Sequence, residues 1–288
     1  MLSGAIAASV TPLLDGGSRP DEEAIGPLVG FLSDGGVDGA FVCGTTGEGV
    51  LLTVDERRRV AERFVRARPG GFAIAVHAGA QSTADTVALA THAKEIGADA
   101  VAVIAPPYFP LDDEALFEHL RSAAEACGEL PFYVYEFAAR SGYPVPVQLV
   151  ERLREAAPNL AGMKVSDTPW SAIEPYRLDG LDLFVGNEPL VLEALASGAD
   201  GAVSGLATAF PEIVASLVHD RDSAAGERVA SLRSDLGAVP FHAALKVILV
   251  ARGVPIRPDV RPPLRTLTPA ERELALEAAR KVGALSVV

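Results

Sequence analysis

The stretch GADAVAVIAPPYFPLDDEALFEHLRSAAEACGELPFYVYE (97–136) decides the fold. A helix-ending glycine leads through Asp99 into DAVAVIA (99–105), a short apolar run of strand length. An amphipathic segment follows over 112–126, and then a second strand-like run, PFYVYE (131–136). A strand, a helix and a strand in that order make a βαβ unit with parallel strands.

The same plan recurs outward in both directions. GVDGAFV (36–42) and GADGAVS (198–204) repeat the order seen in GADAVAV (97–103): glycine, a small or apolar residue, aspartate, strand. The spacing of the echoes is irregular, so this is recurrence of a βα unit and not a solenoid repeat. The strand-like runs cover 4–10, 38–43, 72–78, 99–105, 131–136, 160–165, 181–186 and 200–205. Helical stretches lie between and after them near 21–33, 54–67, 83–96, 112–126, 146–156, 170–177, 188–197 and 211–219. Thr53 with Asp55 and Glu56 opens one helix, and Ser82-Thr83 with Asp85 opens another. Gly35-Gly36, Gly97 and Gly198 end three. Strands that each hand over to a helix predict a (β/α)8 TIM barrel. A doubly wound sheet is the alternative, but it would more often carry a glycine-rich nucleotide turn after its first strand, where this chain has Thr11-Pro12. The expected division is a catalytic barrel over 1–221 and a C-terminal helical extension over 222–288, with 257–267 as its linker.

Composition narrows the function classes. Of 288 residues, 49% are hydrophobic and 22% charged, which suits a chain with a sizeable core. The net charge of −13 argues against general nucleic-acid binding, which needs a basic stripe, yet leaves room for an anionic substrate in a locally cationic cleft. Cys43 and Cys127 make no disulfide framework and fit a reducing cytosol. The N-terminus lacks a basic start and breaks at Thr11-Pro12, and no apolar run reaches membrane-spanning length. The expectation is a cytoplasmic protein with no membrane contact. Of the 25 cations only Lys94, Lys164, Lys246 and Lys281 are lysines, so each can be inspected.

In a barrel, chemistry collects where strands end. Strand 2 runs into GTTGE (44–48), whose glycines and hydroxyls can serve a carboxylate or phosphate, or only form a turn. Strand 6, LAGMKV (160–165), carries Lys164. Alternation sets Leu160, Gly162 and Lys164 on one face, the barrel interior, and Ala161, Met163 and Val165 on the other, with Gly162 leaving room beneath the lysine. An ordinary lysine, with a pKa near ~10.4, is only about 0.1% neutral at physiological pH. Desolvation lowers that pKa and frees a nucleophilic amine. The competing reading pairs Lys164 with a strand-end carboxylate such as Glu136. On strand 5, Tyr133 and Tyr135 share one face. Tyr135 can stand inward beside Lys164 and shuttle protons, or simply pack. His77 reads as a core histidine, Lys246 as a surface or snorkelling lysine, and Lys94 and Lys281 as solvated.

Together these residues resemble the dihydrodipicolinate synthase/N-acetylneuraminate lyase superfamily of class I, Schiff-base aldolases. The resemblance rests on Val10-Thr11-Pro12, GTTGE (44–48), PPYF (106–109), the Tyr135–Arg140 spacing and GMKVSD around Lys164. It continues through GNEPLVLEALASGADGAVSG (186–205) and PLRTLTPAERE (263–273), and so covers nearly the whole chain. It implies that Lys164 forms an imine with pyruvate or another 2-oxo acid. Tyr135 would shuttle protons and Thr45 would relay them. Thr46 and the nearby backbone, Gly44 included, would hold the carboxylate, while Gly186 and the Val203 carbonyl line the pocket opposite. Arg140 would grip the carboxylate of a second, aldehyde substrate. The resemblance implies a homotetramer built from two tight dimers, and neither cofactor nor metal.

Departures loosen the substrate. Synthases of the family carry a second tyrosine where this chain has Phe109, and Asn and Pro where it has Glu136 and Ala138. Glu136 is thereby expected to put negative charge near the second-substrate site. Condensation with aspartate semialdehyde, aldol cleavage of a 2-keto-3-deoxy sugar acid and dehydration of such an acid all stay open. A metal-dependent aldolase, for which only His77, Glu136 and Asp167 offer ligands, and a non-catalytic 2-oxo acid binding protein are the other classes.

Overall fold

Neighbouring residues along a strand point opposite ways. Ala100 and Ala102 pack inward with Ile6, Phe41, Tyr133 and Phe184, while Val101 and Val103 turn outward to a larger apolar layer under the helices. In the computed structural model, which describes residues 2–286, eight parallel strands close into a barrel in sequence order. They are β1 (Gly4–Ala8), β2 (Gly39–Val42), β3 (Ala73–His77), β4 (Ala100–Ile104), β5 (Phe132–Glu136), β6 (Leu160–Val165), β7 (Asp182–Val185) and β8 (Gly201–Ser204). β8 pairs back onto β1 through Ile6 and Val203. All eight expected runs are strands, each within its expected bounds. A two-residue hairpin, Leu13–Leu14 with Arg19–Pro20, follows β1 and has no counterpart in the sequence pattern.

One register detail corrects the expected alternation. Phe132 pairs with Leu160, but the next residue, Tyr133, pairs with Gly162, so β6 bulges at Ala161. Leu160 therefore lies in the outer layer and Ala161 packs against the inner one, the reverse of the expected parity. Above the bulge the alternation holds, and Lys164 stands level with Tyr135. Gly162 is needed for a different reason than room under the lysine. A Cβ there would lie 2.2 Å from the Asp182 carbonyl oxygen of β7.

The capping signals work as read. Thr53 and Glu56 close a reciprocal capping box on the helix Val54–Ala67. The Ser82 hydroxyl accepts from the Asp85 amide to start Thr83–Glu95. After the barrel come the helices Ser223–Leu236, Phe241–Ala251 and Pro269–Lys281. Lys246, expected at the surface, is instead wholly buried, its ammonium 2.5 Å from the Glu48 carboxylate. Its helix is apolar on nearly every side, which is the mark of a buried helix. The segment 257–267 is tied to the barrel: the Arg261 amide donates to Glu48 at 2.6 Å and its guanidinium pairs with Glu56 at 2.6 Å. No single helix among the described residues is long and apolar enough to cross a membrane.

Candidate active site

The top of β6 projects Lys164 into a cavity of about 470 Å³ at the C-terminal end of the barrel, a size suited to a small ligand. The residue is 6% exposed, and its Nζ sits 3.5 Å above the Tyr135 ring centroid and donates to the Ser166 hydroxyl. Burial pulls its pKa below that of an ordinary lysine. Among the described residues no carboxylate is within ion-pairing reach of it, so the competing pairing with Glu136 is not made. Gly186 keeps the amine open: a Cβ there would stand 2.0 Å from Ser166 Oγ and 3.1 Å from Lys164 Nζ.

The Tyr135 hydroxyl lies 3.2 Å from Thr45 Oγ1, close enough to pass a proton. Its ring is held edge-on by Phe41 and His77 and stacked on Phe137. His77 is a buried packing residue whose pKa falls to about 3, first through burial and then through the Arg57 guanidinium, so its ring is neutral. Thr46, Val203 and Arg140 line the same cavity. Gly44 does not. It lines a neighbouring pocket beside Thr45 and His77, and a Cβ there would meet the Phe41 ring at 2.6 Å. Arg140 is exposed at the mouth, lies 5.7 Å from the Phe137 ring centroid and makes no ion pair among the described residues.

Glu136 corrects a second expectation. It faces away from the cavity, buried behind β5, where one carboxyl oxygen accepts from the Val145 amide at 2.8 Å and the other has no partner. Burial, reinforced by Asp167, raises its pKa to about 8, so at neutral pH it brings no charge to the site. The folded state thus holds a proton that the unfolded state releases at ordinary carboxyl pKa, and stability falls as pH rises toward 8. Glu136→Gln keeps the acceptor without this slope. Its Tm is expected to drop less than wild type between about pH 6 and pH 9, and equal drops would remove Glu136 as the cause; each kcal/mol relieved is worth about 2 °C.

Several cavity residues have no role assigned from the sequence pattern. Glu188, 2% exposed, accepts from Ser204 Oγ, the Leu206 amide and both Nε and Nη2 of Arg233, the latter two at 2.6 and 2.9 Å. Burial alone would raise its pKa, but the guanidinium holds it below the usual carboxylate range. Arg233 and the neighbouring Phe241 and His242 come from the C-terminal helices. Ser166 could have been found by parity, two residues beyond Lys164. With Glu188 paired to Arg233, and burial drawing Lys164 and His242 toward their neutral forms, Arg140 is the cation the cavity presents, against no free carboxylate among its described lining residues, a local reversal of the protein's acidic charge that suits an anion. His77, Glu136 and Asp167 do not converge, and no three metal-ligating side chains group together among the described residues.

Comparison with known proteins agrees over the whole chain. The dihydrodipicolinate synthetase family model matches residues 1–282. An uncharacterized DapA-like lyase of Halobacterium salinarum is 35% identical over 286 residues, covering 96% of this chain and 92% of the relative. The 4-hydroxy-tetrahydrodipicolinate synthase of Rhizobium meliloti is 30% identical over 298 residues, covering 99% and 100%. Among solved structures, the N-acetylneuraminate lyase of Proteus mirabilis superposes with a TM-score of 0.88 at 32% identity over 99% of both chains.

Proposed function

The chain belongs to the dihydrodipicolinate synthetase family of lyases, and we propose that it makes or breaks a carbon–carbon bond between a 2-oxo acid, pyruvate or a close relative, and an aldehyde that bears an anionic group. The observation that carries this reading is Lys164: a buried amine without a carboxylate partner, opening on a cavity and flanked by a Tyr–Thr pair at hydrogen-bond distance.

The neutral Lys164 amine attacks C2 of the 2-oxo acid. The carbonyl oxygen takes one proton given up by the amine and a second from Tyr135 and leaves as water, and a protonated imine remains, with Tyr135 as the phenolate that next accepts a proton. The imine draws electrons from C3, so a C3 proton is lost and an enamine forms. In synthesis the enamine carbon attacks the aldehyde, whose oxygen takes a proton; cleavage runs these steps backward. Water then hydrolyses the imine and restores the amine. Thr45 supplies the next hydroxyl in the relay behind Tyr135. Thr46 and the GTTGE backbone, with Gly44 shaping the loop, hold the 2-oxo acid carboxylate, and Gly186 and Val203 form the facing wall. We assign this chemistry to the barrel, 1–221, completed by side chains of the 222–288 extension. Tyr108 and Phe109, exposed and packed edge to face, support self-association, and we assign the family's homotetramer and a cytoplasmic location to the chain.

A panel of pyruvate with aldehydes, with and without a carboxylate, run beside 2-keto-3-deoxy acids, tests the reading. Turnover only with carboxylate-free partners, or none at all, would overturn it. Arg140 is the group that selects the anionic partner. A charge-assisted hydrogen bond is worth about 1.5–3 kcal/mol, so Arg140→Ala is expected to raise the KM of the carboxylated substrate about 10- to 150-fold. Imine formation with pyruvate should be unchanged. Equal losses on both substrates would remove Arg140 from this role.

A further inference from the structure

We infer that the buried ion pair between Glu48 and Lys246 is a positioning device for the proton relay: from the C-terminal extension, the helix Phe241–Ala251 sets where the Thr45 hydroxyl stands. The inference rests on the reading of Thr45 and Tyr135 as that relay.

Glu48 closes the GTTGE loop and adopts a left-handed backbone conformation, φ 57°, although it is not glycine. What holds it there is on its side chain. Both Glu48 and Lys246 have wholly inaccessible side chains. Lys246 Nζ donates to Glu48 Oε1 at 2.5 Å and to the Asp259 carbonyl at 2.6 Å, and the Arg261 amide donates to Glu48 Oε2 at 2.6 Å. Both carboxylate oxygens are thus occupied, and both donors come from the C-terminal extension, about 200 residues away in sequence.

One helical turn before Lys246, the same helix presents His242, whose Nε2–H donates to the Thr45 carbonyl at 3.0 Å. That carbonyl also accepts the Glu48 amide at 3.1 Å. One helix therefore grips the loop at both ends of Thr45-Thr46-Gly47-Glu48. Residues four apart lie on one helix face, so a single rigid element carries both grips. From the other side, Thr11 Oγ1 donates to the Gly47 carbonyl at 2.7 Å. The loop has little freedom left, and the Thr45 hydroxyl is delivered to Tyr135.

A buried pair that only stabilises can often be replaced by neutral groups without loss, whereas removing one partner strands a charge. Lys246→Met alone is therefore uninformative, and the double variant Glu48→Gln/Lys246→Met is the test. The carboxamide oxygen introduced by Glu48→Gln would keep an acceptor for the Arg261 amide. Two readouts use pyruvate alone: the extent of borohydride-trapped adduct at saturation, which reports the imine, and solvent deuterium exchange into the pyruvate methyl group, which reports the relay. A folded double variant is expected to trap within about twofold of wild type while exchange falls about 10- to 100-fold, the scale of a misplacement of about an ångström. Exchange at the wild-type rate would overturn the inference. If the double variant does not fold, His242→Ala, which spares the ion pair, decides: exchange must fall there too, and unchanged exchange overturns the inference. Wild-type protein that traps no pyruvate would instead sink the reaction reading, and this inference with it.

Discussion

Lys164→Ala is expected to fold and to lose pyruvate methyl exchange by about 10³-fold or more, the scale at which an enzyme loses its nucleophile. The expectation follows from the amine's surroundings. It donates to Ser166 and lies over the Tyr135 ring, and burial lowers its pKa. Removing it strands no buried carboxylate, so the fold should survive, in contrast to the removal of Lys246. The remaining Tyr135 and Thr45 can move protons but cannot form the imine that makes the C3 proton acidic. Lys246→Met is the contrasting case: also a buried lysine, but ion-paired and outside the cavity, and expected to cost stability first. Exchange in Lys164→Ala at the wild-type rate, with the fold verified by circular dichroism, would remove Lys164 from the chemistry.

Tyr135→Phe is expected to lower exchange about 10²-fold or more, the usual worth of a positioned acid–base group. The substitution is specific because the ring's contacts with Phe41, His77 and Phe137, and the Lys164 amine above its face, all belong to the ring and not to the hydroxyl. Only Oη and its 3.2 Å approach to Thr45 are lost. The amount of adduct trapped at equilibrium should hold, because an equilibrium does not depend on how fast the proton moves. Unchanged exchange in a folded Tyr135→Phe would make Tyr135 a packing residue.

The barrel can be read from the chain because its signal is local and repeated: strand-length apolar runs alternate with helical stretches, and several βα units carry a cap or a terminating glycine of their own. Lys164 and Tyr135 can be placed inward because strand parity survives above the bulge. The bulge itself is illegible, since a skipped partner such as Ala161 depends on how two strands meet and not on either alone. Glu136 misleads although parity sets it opposite Tyr135. It stands where synthases of the family carry Asn, which suggests a place in the site, but the face it occupies decides otherwise. Lys246 misleads for a different reason. An all-round apolar helix implies burial, and a buried ammonium implies a partner, but Glu48 lies 198 residues away. Arg233 and Glu188 meet in the same non-local way, so the part of the cavity supplied by the C-terminal helices has no readable pattern.

Every step of the proposed reaction depends on Lys164 carrying the substrate covalently. Wild-type protein incubated with pyruvate, reduced with borohydride, digested and mapped by mass spectrometry tests it most directly. One reduced pyruvyl adduct is expected, on the peptide containing Lys164 and on that residue, absent from Lys164→Ala. No adduct, or an adduct on Lys246 or another lysine that persists undiminished in Lys164→Ala, would contradict it.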